Sequence, residues 1–434
     1  MRPPRESAKL GLSNAKPFPM RLLIPRPAWL AALLLLAACA TTQTPPPEGA
    51  SADALLLVSI DGLRADQIGS GAMPTVDALA RQGVQAAAMI PSFPTLTFPS
   101  HYTLVTGLRP DRHGIVHNNF ADPALGVFMS KRDSARDGRF WGGEPIWSTA
   151  EKAGIPTATM FWPGSEAEIA GQRPRHWRRY DGSLSPAQRV QQVLAWLDLP
   201  QAERPRLLTL YFDQFDVAAH AKGTFSPESM AALRAIDYAL AQLLQGLDAR
   251  GLRQHTNLLL VSDHGMADVR RENVSFLDDR LPAVDYAVSW HGQIAGVTPQ
   301  PGAAARVEKA LLGRHERYAC WRKAELPARW HYGSNPRIPP IVCQADTGWR
   351  VQLRSHPVPP LLKGEHGYVP EDPQMHGVFI ASGPAFATPR RIPAFDIVDL
   401  YPLLARLLGV TPQPNDGNPD TLLPLLDASE GPAR

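Results

Sequence analysis

Aspartates and histidines that follow aliphatic runs are the residues of this 434-residue chain whose types and spacing could do chemistry. The run LLLVSI at 55–60 stops at Asp61, and LLLVS at 258–262 stops at Asp263 and His264. A third run, LLTLYF at 207–212, leads into Asp216 and His220. Carboxylate oxygens and imidazole nitrogens are the usual ligands of a catalytic zinc. Asp216 and His220 are four apart, so one helical turn or a compact loop points them together. The pattern is that of a metal cluster assembled from distant segments, which makes the chain an enzyme on first reading.

The elements that position these residues follow from the pattern of the chain. Aliphatic runs of this length read as parallel strands buried on both faces. Ligands of open α/β sheets gather at the carboxyl ends of strands, so the acidic residues should share one rim. Helices are predicted over 74–83, 144–153, 186–198, 227–250 and 396–408, with Pro74 near a start and Gly83 and Gly154 as stops. In 227–250, Met230, Leu233, Ile236, Leu240, Leu243 and Leu247 recur at helical spacing and read as core. Strands are predicted at 157–161 and 378–382, and 92–107 passes from an irregular loop into a helix. This alternation argues for an α/β fold, a mostly parallel sheet with helices on both faces. Residues 284–362 lack a strong alternating pattern and fall where much of the proline lies, so they read as an inserted cap. The expected organisation is a catalytic core of 54–283 and 363–434, interrupted by that cap.

Composition is that of a globular protein, 44% hydrophobic and 20% charged, with a net charge of only +3. Dense basic runs are absent beyond short pieces such as Arg178-Arg179, so a nucleic-acid polymer is not an expected partner. Oligomeric state has no sequence signal. At the N-terminus, Arg21 and Arg26 precede an apolar run at 28–38 that is too short to span a bilayer. The run ends Leu36-Ala37-Ala38-Cys39, which resembles a bacterial lipobox. That resemblance implies a signal peptide over 1–39 and a lipid-anchored Cys39. Residues 40–53, rich in Thr, Pro and Ala, then form a tether. Ala40 resembles outer-membrane sorting, so the expected location is the bacterial cell envelope, facing periplasm or exterior. Met20 is an alternative start. Of the three cysteines, Cys320 and Cys343 remain, and in an oxidising compartment they are expected to pair.

On residue type alone, Thr97 and Ser100 are equally good helix caps. The wider context is more specific. SIDGLR at 59–64, the segment 94–107 (PTLTFPSHYTLVTG), PDRHGIV at 110–116 with Asn118, FWGGEPIW at 140–147, FWPGS at 161–165 and SDHGM at 262–266 occur in family order. Together they resemble the nucleotide pyrophosphatase/phosphodiesterase family of the alkaline phosphatase superfamily, over roughly residues 54–410. The resemblance implies an alkaline-phosphatase-like fold and two zinc ions around a nucleophilic threonine. Asp61, Asp263, His264 and Thr97 would hold one zinc, and Asp216, His220 and His366 the other. His366 lies between Gly364 and Gly367, which permit a tight approach. His376 is an alternative ligand at a strand entrance.

Zinc lowers the pKa of a coordinated hydroxyl, so Thr97 would attack phosphorus and form a phosphothreonine ester that water then opens. Asn118 and the Phe98 N–H would donate to a nonbridging oxygen. Phe98 and Tyr180 would flank a nucleobase. The stretch Thr97-Phe98-Pro99-Ser100-His101 lacks the oxidisable residue and the arginine of a sulfatase. Residues 160–164 are apolar and uncharged, which suits a monoanionic diester better than a dianionic monoester. The expected substrate is therefore a small nucleotide or phosphodiester. A phosphate-monoester hydrolase and a choline-type glycerophosphodiesterase are the alternatives.

Overall fold

The computed structural model describes residues 54–358, 362–386 and 389–426. The expected signal peptide, lipid anchor at Cys39 and tether lie outside the described residues. Among the described residues, no helix is long and apolar enough to cross a membrane.

An eight-stranded sheet carries the fold, in the order Arg390–Ile392, Val84–Ala86, Phe379–Ser382, Thr256–Val261, Ala54–Ile60, Leu207–Phe212, Thr157–Met160, His176–Arg178. Phe379–Ser382 runs antiparallel to both its neighbours, and every other pairing in this sheet is parallel. The central strand shows why its sequence is continuously apolar. Leu55 and Leu57 enter the core on one face, with Leu104, Val105, Leu403 and Leu404. Leu56, Val58 and Ile60 enter the core on the other, with Val76, Val193, Leu240 and Leu243. Both faces are covered by helices, so no position alternates to solvent. The long helix Pro227–Ala249 starts at an N-cap, Ser226, whose side chain accepts from the Ser229 N–H.

Residues 284–362, expected as an inserted cap without strong alternation, hold regular structure. A five-stranded antiparallel sheet runs Tyr286–Trp290, Ile294–Pro299, Ile341–Ala345, Tyr318–Arg322, Gly313–Arg314. In its inner strands the alternation is hidden because both faces are buried. Ala295, Val297, Ile341 and Cys343 pack with Val307 and Leu311 of the helix Ala304–Leu311, while Trp290, Ile294 and Val342 join the main core. Cys320 and Cys343 stand opposite each other on adjacent strands and are joined in a disulfide. The predicted helix at 396–408 begins with a 3-10 turn, Ile397–Asp399, before the α-helix Leu400–Leu408.

Candidate active site

Three parallel strands at the centre of the sheet end side by side. Ser59 is in register with Tyr211 on one side and Val261 on the other. Asp61, the helix start carrying Asp216, and Asp263 with His264 therefore emerge at one rim. The chain turns sharply after Asp61 because Gly62 has φ 74°, a conformation that side-chain-bearing residues avoid. That turn lets the Gly62 N–H donate to Asp263 Oδ1 at 3.3 Å. Asp216 and His220 lie on the helix Gln214–Lys222, with His220 Nε2 3.5 Å from Asp216 Oδ1. His366 follows the short strand Gly364–Glu365 and places its Nε2 3.7 Å from the same oxygen. Thr97 is the first residue of the helix Thr97–Thr106, and its Oγ1 is 3.3 Å from His264 Nε2.

All seven side chains expected around a metal pair thus converge. Donor atoms of Asp216, His220 and His366 lie within 4.8 Å of one another, as do those of Asp61, Asp216 and His264. His376 does not join them. Its Nε2 faces the Pro370 carbonyl at 3.1 Å, and it lines a separate cavity of about 320 Å³ with Ser92, Arg109 and Trp330.

The donor set fits cations on two independent grounds. Asp61 Oδ1 and Asp216 Oδ1 are buried without a hydrogen-bond donor, which is costly unless positive charge faces them. Each histidine also lies with Nδ1 against a backbone carbonyl: His220 on Gly364 at 2.8 Å, His264 on Gly265 at 2.9 Å, His366 on Thr95 at 2.9 Å. A carbonyl can only accept, so each Nδ1 carries a proton and leaves Nε2 to face the cluster; at His264, Asp263 outweighs burial and raises the imidazole, so its Nε2 holds a proton where a cation would sit.

The electrostatics agree. Burial, then the nearby Asp263 and Asp216 carboxylates, push the Asp61 carboxyl well above its ordinary range. Burial acts the same way on Asp263, but His264 and His101 outweigh it and hold that carboxyl well below its range. Burial and the neighbouring His264 and His220 hold His366 well below the usual imidazole value, so it is neutral at physiological pH. Its ring stacks on that of His264 at 3.6 Å between centroids, 12° from parallel.

Beyond the cluster, Asn118 Oδ1 accepts from the Phe98 N–H at 2.9 Å. That bond uses the Phe98 donor and fixes the amide so that Asn118 Nδ2 is the free donor. The Phe98 ring is 6.1 Å from both Phe128 and Trp141, at the edge of an aromatic cluster. Tyr180 is 47% exposed, with its hydroxyl on Asp213, the residue after the strand Leu207–Phe212.

Three further side chains that no motif marked as functional contact the cluster or its supports. His101, one helical turn after Thr97, lies between Asp263 and Ser59, and its spacing from Thr97 was the available signal. Tyr211 donates its hydroxyl to Asp61. Arg189 is fully buried, 2.8 Å from Asp213 Oδ1, and donates to the Tyr211 carbonyl at 2.9 Å. Nothing in its local sequence marks it.

Comparison with known proteins points the same way. Residues 55–369 match the family described as type I phosphodiesterase / nucleotide pyrophosphatase. A Schizosaccharomyces pombe protein named as an uncharacterized pyrophosphatase/phosphodiesterase is 35% identical over 389 residues, spanning 86% of this chain and 80% of that protein. A venom phosphodiesterase of Crotalus durissus collilineatus is 35% identical over 396 residues, but the chain spans only 47% of its length. Among solved structures, murine ectonucleotide pyrophosphatase/phosphodiesterase 5 superposes with a TM-score of 0.82 at 33% identity, covering 86% of this chain and 100% of that one. That structure is of an inactive threonine-to-alanine variant in complex with AMP.

Proposed function

We propose, for a chain that belongs to the type I phosphodiesterase / nucleotide pyrophosphatase family, that it hydrolyses phosphodiester and pyrophosphate bonds of small nucleotides and related diesters, with Thr97 as nucleophile. The observation that carries this reading is the placement of the Thr97 hydroxyl, 3.3 Å from His264 Nε2 among carboxylate oxygens that lack donors. Asp61, Asp263 and His264 would hold one zinc beside Thr97, and Asp216, His220 and His366 a second. Bound there, zinc supplies Lewis acidity and a lowered hydroxyl pKa.

The residues of the chain divide the remaining work. Thr97 Oγ forms the new bond to phosphorus as its proton leaves, and the bond to the leaving oxygen breaks. The leaving alcohol or nucleotide carries off the electron pair and takes up a proton. Water then opens the phosphothreonine ester, and Thr97 regains its proton. Asn118 Nδ2 donates to a nonbridging oxygen, an interaction whose loss costs about 3 kcal/mol of barrier.

A diester fits better than a monoester because Met160, Phe161 and Trp162 are apolar and buried, and bring no cation to a second phosphate charge. A nucleotide fits because the similar murine protein binds AMP. The test is the kcat/KM ratio for p-nitrophenyl diester and monoester substrates on zinc-loaded protein. A ratio well above one supports the reading, and a ratio well below one replaces it with a monoesterase.

A further inference from the structure

The motif Pro110-Asp111-Arg112-His113-Gly114 has no part in the chemistry above, yet one segment of the cap is built onto it. We propose that residues 332–337 of the cap form a strap that positions Asn118, with Arg337 as the principal positioning residue. The inference rests on the reading of Asn118 as a phosphoryl-oxygen donor.

The strap grips the stretch leading to Asn118 at both ends. At its start, the Tyr332 hydroxyl donates to the Val116 carbonyl at 2.8 Å, two residues before Asn118. Next, the Asp111 carboxylate accepts from the Gly333 N–H at 3.1 Å, and from the Ser334 N–H at 2.7 Å and hydroxyl at 2.8 Å. At its end, Arg337 Nη1 donates to the carbonyls of Gly114 at 2.7 Å and Phe140 at 2.6 Å. Arg337 Nε donates to Asp122 Oδ2 at 2.7 Å, with both side chains only 11% exposed. Asp122 in turn closes the hairpin of Asn119–Asp122 and Gly126–Met129, accepting from Ala124 and Leu125 N–H groups at 2.8 Å. One guanidinium therefore ties the residues before Asn118 to the hairpin after it. Gly114 is suited to this contact, because a Cβ there would lie 2.5 Å from Arg337 Nη1. An exposed salt bridge would contribute little, but a planar fork satisfying two buried carbonyls and a carboxylate fixes geometry as well as charge.

The test is a double-mutant cycle on the zinc-loaded full chain, with bis(p-nitrophenyl) phosphate as substrate. Arg337→Ala is expected to lower kcat roughly 10- to 100-fold with KM little changed, the scale of a small misplacement at the reacting centre. In an Asn118→Ala background the same change should lower kcat by less than about twofold, because its route of action is already gone. Equal losses in both backgrounds would overturn the strap's role while leaving Asn118 in place. Asn118→Ala turning over at the wild-type rate would overturn the assignment of Asn118 itself, and the strap's role with it. If Arg337→Ala does not fold, Tyr332→Phe removes one donor and nothing else. It should cost at least about threefold in kcat in the first background and nothing in the second. Full activity of folded Tyr332→Phe in that case overturns the proposal.

Discussion

The imidazole of His101 faces the carboxylate of Asp263, Nδ1 to Oδ2 at 3.1 Å, and neither side chain is accessible to solvent. The same nitrogen is 2.9 Å from the Thr97 carbonyl, and Nε2 is 2.8 Å from the Ser59 hydroxyl. One ring thus links a candidate metal ligand, the nucleophile's own backbone and the central strand. His101→Gln is expected to lower zinc affinity and kcat by roughly 10- to 100-fold, the usual effect of losing a group that orients a ligand. Zinc content after dialysis and kcat on a diester check this. A variant with lowered melting temperature but full zinc content and kcat would reduce His101 to a packing residue.

Thr97→Ala should lower diester turnover by roughly a thousandfold or more, since it removes the hydroxyl that forms the covalent ester. Zinc content and AMP affinity should survive, because the aspartates and histidines are untouched. Trapping with radiolabelled substrate would show phosphothreonine in wild type and none in the variant. Residual turnover near wild type would remove Thr97 from the mechanism.

Chelation should abolish activity, and zinc should restore it. Zinc binding only the folded chain stabilises it by about 4 kcal/mol at a thousand times its Kd. A chelated sample should therefore unfold at lower temperature than a zinc-loaded one, in differential scanning calorimetry. His366→Ala should shrink that difference and lose one metal equivalent. Identical melting curves with and without zinc would mean that the cluster holds no metal tightly.

His113 provides an acid sensitivity separate from the metals. Burial lowers its pKa from 6.5 to about 3, and its Nδ1 accepts from the Ile115 N–H at 3.1 Å, so a second ring proton has no place. The unfolded chain binds that proton below about pH 6.5 and the folded chain does not. Stability from this group is full above that value and falls as pH drops toward 3. At pH 5 the loss is about 2 kcal/mol. Denaturant unfolding in chelator at neutral pH and at pH 5 should show a smaller acid loss in His113→Gln than in wild type.

The sequence made the core strands legible because their whole length is apolar, and it made the rim legible because each run ends on an acid. Asp61, Asp216, His220, Asp263 and His264 were readable by residue type, by their place after apolar runs and by the four-residue step from Asp216 to His220, whereas Thr97 and His366 came through the family resemblance. The inner strands of the cap sheet were hidden by burial on both faces, which erased the period of two. Arg189 and Arg337 were hidden for another reason. Each acts on backbone carbonyls far away in the chain, and a carbonyl leaves no trace in residue type.

The site also reports on how its own sheet is assembled. Asp61, Asp216 and Asp263 meet only because the strands Ala54–Ile60, Leu207–Phe212 and Thr256–Val261 are in one register. A slip of one residue would turn a strand's side chains to the opposite face and carry its acid out of reach. Metal uptake would then select among alternative pairings after synthesis, since only a correctly zipped sheet gains the binding energy.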